Sequence, residues 1–306
     1  MKIAVLLPCH NEGPAIKSVI RNFQKSLPGA TVYVYDNNST DNTFEEASKA
    51  GAVVRRERRQ GKGHVVRRMF ADIDADVYVM ADGDETYDAE AASEMVKKLV
   101  DDNLDMVVGA RESVEGQSTY RAGHKFGNKM LTGIVQLFFG QGFEDMLSGY
   151  RVFSRRFVKS FPAISTGFEI ETEMTVHALS LTLPCAEVKT RYFERADGTE
   201  SKLRTYRDGI LILRFILLLF KEIKPFIFFT MLSLGFAFVS LGLAFPVLMT
   251  FLETGLVPRL PTAILCAVIM MIAFITFFCG VILDSLGRGR QEHKRLRYIA
   301  VSGKQA

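Results

Sequence analysis

The 306-residue chain contains no tryptophan and only four cysteines, Cys9, Cys185, Cys266 and Cys279. No two cysteines form a CxxC pair, and two lie inside long apolar stretches, so neither a disulfide framework nor a zinc site is supported. No GxGxxG follows the first strand-like run, which leaves a dinucleotide site without support. A P-loop is also absent, because no GxxxxGK followed by Ser or Thr occurs. The five histidines are scattered and form no metal-type cluster. Charge is missing from residues 225–252 and again from residues 260–283. As helices, both stretches are long enough to cross a hydrocarbon core of about 30 Å. A wholly soluble protein is therefore not expected. A multi-span transporter is not expected either, since the first 200 or so residues read as a soluble α/β domain.

Basic residues are concentrated at one end. After Asp284 the chain holds Arg288, Arg290, Lys294, Arg295, Arg297 and Lys304 against Glu292 alone, a net of +5. The formal net charge is +4, so the remainder sums to −1 and nucleic acid is not implied as a partner. Beside apolar spans such a tail reads as a cytoplasmic anchor. Lys221 and Lys224 precede the first span, which puts both outer ends on the cytoplasmic side and makes residues 253–259 the short connection of a helical hairpin. At the N-terminus Ile3–Leu7 is too short for a signal-peptide core, and Pro8 interrupts it. Between 207 and 224, Arg207, Arg214 and Lys221 recur every seven residues on one face of an Ile-, Leu- and Phe-rich helix. That is the pattern of a helix lying in the membrane interface. The expected layout is a domain over 1–206, the interfacial amphipathic helix over 207–224, spans over 225–252 and 260–283, and a tail over 284–306. The expected location is the inner membrane, with the domain and both termini cytoplasmic. Gly235 and Gly242, seven apart, are expected to ease packing of the first span.

The first half alternates strand and helix signals. Ile3–Leu7 is a continuous apolar run, as a strand buried on both faces would be. Pro14 suits a first helical turn, and Ile16, Val19, Ile20, Phe23 and Leu27 follow at helical spacing. Thr31–Tyr35, Ala52–Val54, Val77–Ala81 and Met106–Val108 read as strands. The helices between them are a short one capped by Thr40 and Asp41 and ending near Gly51, then Gly63–Ile73 and Ala89–Val100. Later, His124–Phe139 and Phe168–Leu181 read as helices and Cys185–Arg191 as a strand. The βα alternation predicts an α/β fold with a mostly parallel, helix-covered sheet.

Ligands of such sheets bind beyond the C-terminal ends of the strands. The polar residues there are Pro8 to Glu12, Asp36 to Asp41, Arg59 to Gly63, Asp82-Gly83-Asp84 and Gly109-Ala110-Arg111. Each alone is ordinary turn chemistry. Their recurrence at successive strand ends is not. Asp82 and Asp84, one residue apart after a buried strand, can aim at one Mg2+ or Mn2+ that keeps positions open for phosphate oxygens. Asp72, Asp74 and Asp76 compete by composition, but they precede the strand and read as a solvated helix end. Gly61-Lys62-Gly63 ahead of a helix can bring backbone N–H groups and one lysine to a phosphate. Glu169, Glu171 and Glu173 alternate and cannot share one helix face, so at least one is expected to be merely solvated.

In order along the chain, the motifs resemble the family 2 glycosyltransferases, specifically the branch of dolichol-phosphate mannose synthase and the bacterial polyprenyl-phosphate enzymes. The matching residues are Val5-Leu6-Leu7-Pro8 with Asn11-Glu12, Asp36 with Ser39-Thr40-Asp41, Gly61-Lys62-Gly63, Asp82-Gly83-Asp84 and Gly109-Ala110-Arg111. They continue with Asp145 to Arg151, Gly167-Phe168-Glu169 and Gly198 to Lys202, so the likeness spans residues 5 to about 204. The resemblance implies a GT-A fold, a UDP- or GDP-linked sugar donor, a membrane polyprenyl phosphate acceptor and inversion at the anomeric centre. It implies that Pro8, Glu12 and Asp36 contact base and ribose, that Asn11 is a further substrate contact and that Lys62 neighbours the donor. Asp82 and Asp84 would form the metal and diphosphate site. Arg111 and Arg121 would hold the acceptor phosphate, with Asp84, Arg111 and Arg121 as the catalytic set. Ser148, Arg195, Ser201 and Lys202 would complete the substrate contacts, the last two in a loop that closes over both substrates. Three positions depart from the family pattern: His10 stands where Tyr is common, Asn37-Asn38 where Asp-Gly is common, and Glu85-Thr86 where Leu-Gln is common.

Two rivals are weighed against that reading. A processive polysaccharide synthase needs a Gln-x-x-Arg-Trp motif, which a chain without tryptophan cannot contain, and more than two spans. A membrane-tethered binding protein with an inactive transferase domain, or a transferase for another lipid acceptor, is the alternative; the intact Asp82, Asp84 and Arg111 weigh against the inactive form.

Overall fold

The computed structural model describes residues 1–113, 124–140, 142–195 and 205–301. The chain divides into two compact units, residues 1–216 with 294–306, and residues 217–293. The first unit begins β1 (Ile3–Cys9), α1 (Gly13–Ser26), β2 (Thr31–Asp36), α2 (Thr43–Lys49), β3 (Val53–Arg56), α3 (Lys62–Asp72), β4 (Val77–Met80), α4 (Ala91–Asp101) and β5 (Met106–Ser113). It continues with α5 (His124–Phe139), β6 (Arg151–Ser154), α6 (Arg155–Ser160), α7 (Ile170–Leu181) and β7 (Cys185–Tyr192). The last helices are α8 (Thr205–Ile223), α9 (Pro225–Thr254) and α10 (Leu260–Ala300).

Seven strands form one sheet in the order β3-β2-β1-β4-β6-β5-β7. All neighbours pair in parallel except β6, which runs antiparallel to both β4 and β5. The core lies on both faces, as the apolar run of β1 requires. Val5 and Leu7 pack with α1 and α4 through Ile16, Ile20, Phe23 and Met95. Ala4 and Leu6 point the other way, into a cluster with Val66, Met69, Phe70, Phe153, Phe157 and Met174. Period-two alternation thus divides one strand between two hydrophobic layers.

Every element expected from the sequence is present, and two are additional. β5 runs to Ser113, five residues beyond its apolar part, because it pairs with β7 over its whole length. β6 and α6 have no counterpart in the sequence pattern. The reason lies in Arg151, which opens β6 and is fully buried, donating to the carbonyls of Ser148 (2.9 Å) and Met146 (2.5 Å) and to Thr175 Oγ1 (3.0 Å). A buried, satisfied guanidinium occupies the place where an apolar residue would have signalled a strand.

In the second unit, α9 and α10 are 30 and 41 residues long, and both are apolar and long enough to cross a membrane. Ser233 Oγ donates to the Ala273 carbonyl and Ser240 Oγ to that of Cys266, each at 2.8 Å. Gly280 packs so closely on Phe229 that a Cβ there would lie 2.7 Å from Phe229 Cβ. Gly280 therefore does the packing expected of Gly235 and Gly242, which have nothing within 4 Å of where a Cβ would stand. No helix break occurs at Asp284: α10 continues through the basic residues to Ala300. Its last turns belong to the first unit, where Tyr298 Oη donates to Asp105 Oδ2 at 2.7 Å and the Arg156 guanidinium lies over the Tyr298 ring.

Candidate active site

The ends of β1 and β2 are knitted together by the polar residues that follow them. Asn11 has a left-handed backbone (φ 52°), donates from its N–H to Ser39 Oγ and accepts from Thr40 N–H at 2.7 Å. Asp36 is buried and accepts from Ser39 N–H at 3.1 Å, and Glu12 is buried with its N–H on Thr43 Oγ1. Asp41 accepts from Thr43 and from Gly13 N–H, so it serves two helix starts, α1 and α2. Pro8 and His10 are half-buried on the same edge, and His10 Nδ1 has no hydrogen-bond partner among the described residues.

Two departures from the family pattern have local explanations. Asn37 Nδ2 donates to the carbonyls of Glu57 and Arg59, and its Oδ1 accepts from Gly61 N–H at 2.7 Å, so it ties β2 to the loop before α3. A carboxylate could not donate in this way. Glu85 has φ 64°, which turns it to Ser18 on α1, away from Asp82 and Asp84, while Thr86 Oγ1 donates to Asp84 Oδ1 at 2.6 Å.

Beyond β4, each carboxylate of the Asp82/Asp84 pair faces a cation. Lys62 Nζ lies 2.5 Å from Asp82 Oδ1 and 2.6 Å from Glu171 Oε1. Arg195 Nη2 lies 2.7 Å from Asp84 Oδ2. Burial pulls the Lys62 ammonium down, but the Asp82 and Glu171 carboxylates outweigh it and hold its pKa above the ordinary lysine value. Burial likewise raises Asp82, and the Lys62 charge overcomes it, leaving the carboxyl below the usual range. Gly149 floors this site: a Cβ there would lie 3.0 Å from both Asp82 Oδ2 and Lys62 Nζ.

At the end of β5, Arg111 forms a bidentate pair with Asp145, Nε to Oδ2 at 2.7 Å and Nη2 to Oδ1 at 2.8 Å. Asn128 of α5 donates to the same carboxylate at 2.8 Å, and the Arg111 backbone N–H at 3.1 Å. Burial raises the Asp145 carboxyl, but these donors outweigh it and keep it below the usual range. Glu187 of β7 in turn accepts from the N–H groups of Glu144 and Asp145, which fixes the loop that presents Asp145. A tyrosine group completes the wall: Tyr87 accepts from Gly149 N–H at 2.9 Å and packs on Tyr150 and Tyr192.

The structure thus brings together Pro8, Asn11, Glu12, Asp36, Lys62, Asp82, Asp84, Arg111 and Arg195 at the C-terminal edge of the sheet. Ser148 does not reach the crevice. It is fully buried, and its hydroxyl donates to the Gly109 carbonyl at 2.6 Å, so it braces the loop from behind. Arg121, Ser201 and Lys202 lie outside the described residues. None of the three alternating glutamates is merely solvated. Glu171 holds Lys62, Glu173 accepts from Ile164 and Ser165, and Glu169 accepts from Gly167 N–H. Glu169 precedes the helix, and the first turn of α7 is buried on all sides, so Glu171 and Glu173 find partners in different directions.

Among the described residues no three His, Cys, Asp or Glu side chains are grouped as a ready metal site. Asp82 and Asp84 instead fit a divalent cation that brings most of its oxygen ligands with it, as one bound to a diphosphate does. Lys62 and Arg195 compensate the two carboxylates here, and a divalent cation would have to take over that compensation.

A helix-covered, mostly parallel sheet with paired aspartates at the end of β4 defines a nucleotide-diphospho-sugar transferase domain of the GT-A type. Residues 4–161 match glycosyl transferase family 2, and the chain belongs to that family. Glycosyltransferase AglJ of Haloferax volcanii is 35% identical over 242 residues, covering 79% of this chain and 78% of that one. Dolichyl-phosphate hexose transferase of the same organism is 29% identical over 211 residues, covering 69% and 90%. Glucosyl-3-phosphoglycerate synthase from Mycobacterium tuberculosis, solved with Mn2+, UDP-glucose and phosphoglyceric acid, shares the fold with a TM-score of 0.56 at 22% identity, over 72% of this chain and 78% of that one. The protein is a glycosyltransferase.

Proposed function

We propose that the enzyme transfers a sugar, with inversion, from a UDP- or GDP-linked donor to a membrane polyprenyl phosphate, at the cytoplasmic face of the inner membrane. The observation that carries this reading is the pairing, in one crevice, of a carboxylate couple suited to a metal-bound diphosphate with a partly buried guanidinium, oriented by Asp145, whose charge suits a second phosphate. The two apolar helices and the relative that acts on dolichyl phosphate support a lipid as the bearer of that second phosphate. In this reading residues 1–206 are the catalytic domain, 207–224 lies in the interface, 225–252 and 260–283 span the membrane and 284–306 is the cytoplasmic end.

Roles follow from chemistry. Pro8, Asn11, Glu12 and Asp36 bind the nucleoside. Asp82 and Asp84 would hold Mg2+ or Mn2+, which when bound neutralises the leaving diphosphate. Lys62 and Arg195 add fixed positive charge beside it. Arg111, with Arg121 by resemblance, orients the acceptor phosphate, and Ser201 and Lys202 by resemblance close over the substrates. A phosphate monoester has a second pKa of about 6, so at neutral pH the acceptor is already a nucleophilic dianion. It needs positioning rather than a general base.

Membranes containing the enzyme, incubated with radiolabelled UDP- and GDP-sugars and undecaprenyl phosphate, should move label into the lipid extract only when Mg2+ or Mn2+ is present. Label that stays in free sugar or nucleotide across the whole panel would refute the lipid acceptor.

A further inference from the structure

Lys62 stands between two carboxylates, and only one of them belongs to the aspartate pair. The Lys62 side chain is 10% exposed, Glu171 5% and Asp82 30%. The Glu171 end of the triad is therefore sealed, and the Asp82 end opens to the crevice. A carboxylate buried like Glu171 is costly to desolvate, and an apolar side chain in its place on α7 would avoid that cost. Its charge also acts on the buried Arg151 guanidinium, but the cation that it touches directly is Lys62, at 2.6 Å.

Consider the triad without Glu171. Lys62 and Asp82 would then be a closed, neutral pair, and an incoming dication would have to break it while facing an ammonium with no other partner. With Glu171 present the group carries a net charge of −1. Lys62 also keeps a partner at 2.6 Å when Asp82 turns toward the cation. The backbone is arranged to the same end. Glu173 accepts from Ile164 N–H (2.8 Å) and from Ser165 N–H (2.8 Å), and the adjoining Thr166 carbonyl accepts from Gly63 N–H at 3.1 Å. Helix α7 thus fixes the main chain beside Lys62 through Glu173 and the ammonium itself through Glu171.

We propose that Glu171 is a positioning residue. It retains Lys62 when Asp82 turns to the metal-bound diphosphate, so that Asp82 can be released while Lys62 stays beside the leaving group. This rests on the transferase reading above and adds a residue that the family resemblance leaves without a role.

The test is calorimetric binding of UDP and GDP to the full-length enzyme in detergent across a Mn2+ series. Glu171→Gln should raise the Mn2+ concentration for half-maximal nucleotide binding by roughly 10–100-fold, the usual cost of losing a group that orients a metal ligand. Nucleotide affinity without metal should not move. In a Lys62→Met background the same substitution should add nothing, because Glu171 acts through Lys62. Glu173→Gln should lower the melting temperature without shifting the Mn2+ requirement. If Glu171→Gln fails to fold, Glu171→Asp should give the same shift in smaller measure. A wild-type Mn2+ requirement in Glu171→Gln or Glu171→Asp, or an equal shift with and without Lys62, would overturn the positioning role alone. If the wild-type enzyme binds neither UDP nor GDP, the transferase reading falls and this proposal with it.

Discussion

Lys62 and Arg111 are both largely buried cations set against carboxylates in the same crevice, and they are held in opposite ways. Lys62 is a point charge shared between Asp82 and Glu171, with no geometry that favours one over the other beyond 0.1 Å. Arg111 is a planar fork locked on one carboxylate by two parallel hydrogen bonds, and that carboxylate is itself pinned by Asn128. A shared ammonium can follow a partner that moves; a bidentate fork keeps its plane. The contrast matches what the two sides must handle on the proposed reading. The donor side exchanges partners when metal and diphosphate arrive, and the acceptor side must keep one orientation.

The largest effect is expected from removing what Lys62 and Arg195 face. Asp82→Asn or Asp84→Asn should lower transfer by about 10²–10³-fold, the range for losing one preorganised electrostatic group. EDTA should do the same to the wild type, and full activity in EDTA would end the metal-dependent reading.

A second test uses a buried ionisable group with no carboxylate partner among the described residues. His177 packs edge-on against Phe157 and Phe161, and neither ring nitrogen has a hydrogen-bond partner among the described residues. Burial, with a smaller contribution from the Lys294 charge, pushes its pKa down to about 3. The folded pKa lies below the unfolded value of about 6.5. Stability from keeping His177 neutral is therefore complete above about pH 6.5 and is lost as pH falls toward 3, by about 3 kcal/mol at pH 4. Thermal unfolding across pH 4–8 should show this fall in the wild type and a flatter profile in His177→Leu.

On the acceptor side the comparison can be sharpened directly. Arg111→Lys should reduce transfer by about 10–100-fold while nucleotide binding stays normal, since an ammonium cannot reproduce the fork. Asp145→Asn loosens the same fork and should also slow transfer. The acid limb near pH 6, set by the acceptor phosphate, should stay where it is. If that limb moved or vanished in Asp145→Asn, Asp145 would be a general base and the positioning account would be wrong. The smallest effect belongs far from the crevice. Tyr298→Phe removes one hydrogen bond to Asp105 and should cost about 1 kcal/mol, read as a modest drop in melting temperature with unchanged transfer.

The strand ends were legible in the sequence because β1 and β4 are buried on both faces and so appear as unbroken apolar runs. Everything at their C-terminal edges could then be located from the crevice rule. Three features were hidden for physical reasons. The β6 strand opens on Arg151, whose charge is satisfied by carbonyls distant from any pattern of apolar residues. The bracing bond of Ser148 is hidden because a hydroxyl that donates to a backbone carbonyl is indistinguishable, in sequence, from one that faces a crevice. The expectation that at least one of Glu169, Glu171 and Glu173 is merely solvated fails because alternation along a helix signals solvent only when the helix has a solvent face, and the start of α7 has none. Lys62 and Glu171 are also far apart in the chain, so their ion pair leaves no local trace.

The reversed strand β6 has a consequence for scale. Because it is wedged between β4 and β5, the two strands that carry Asp82 and Arg111 are second neighbours rather than first. Adjacent strands stand about 4.8 Å apart, so the wedge widens the gauge between these strand ends to about 9–10 Å. On the proposed reading, that width separates the rail that carries the diphosphate from the rail that carries the acceptor phosphate. A single hexose ring, with bonds to both sides, is what such a gap would seat.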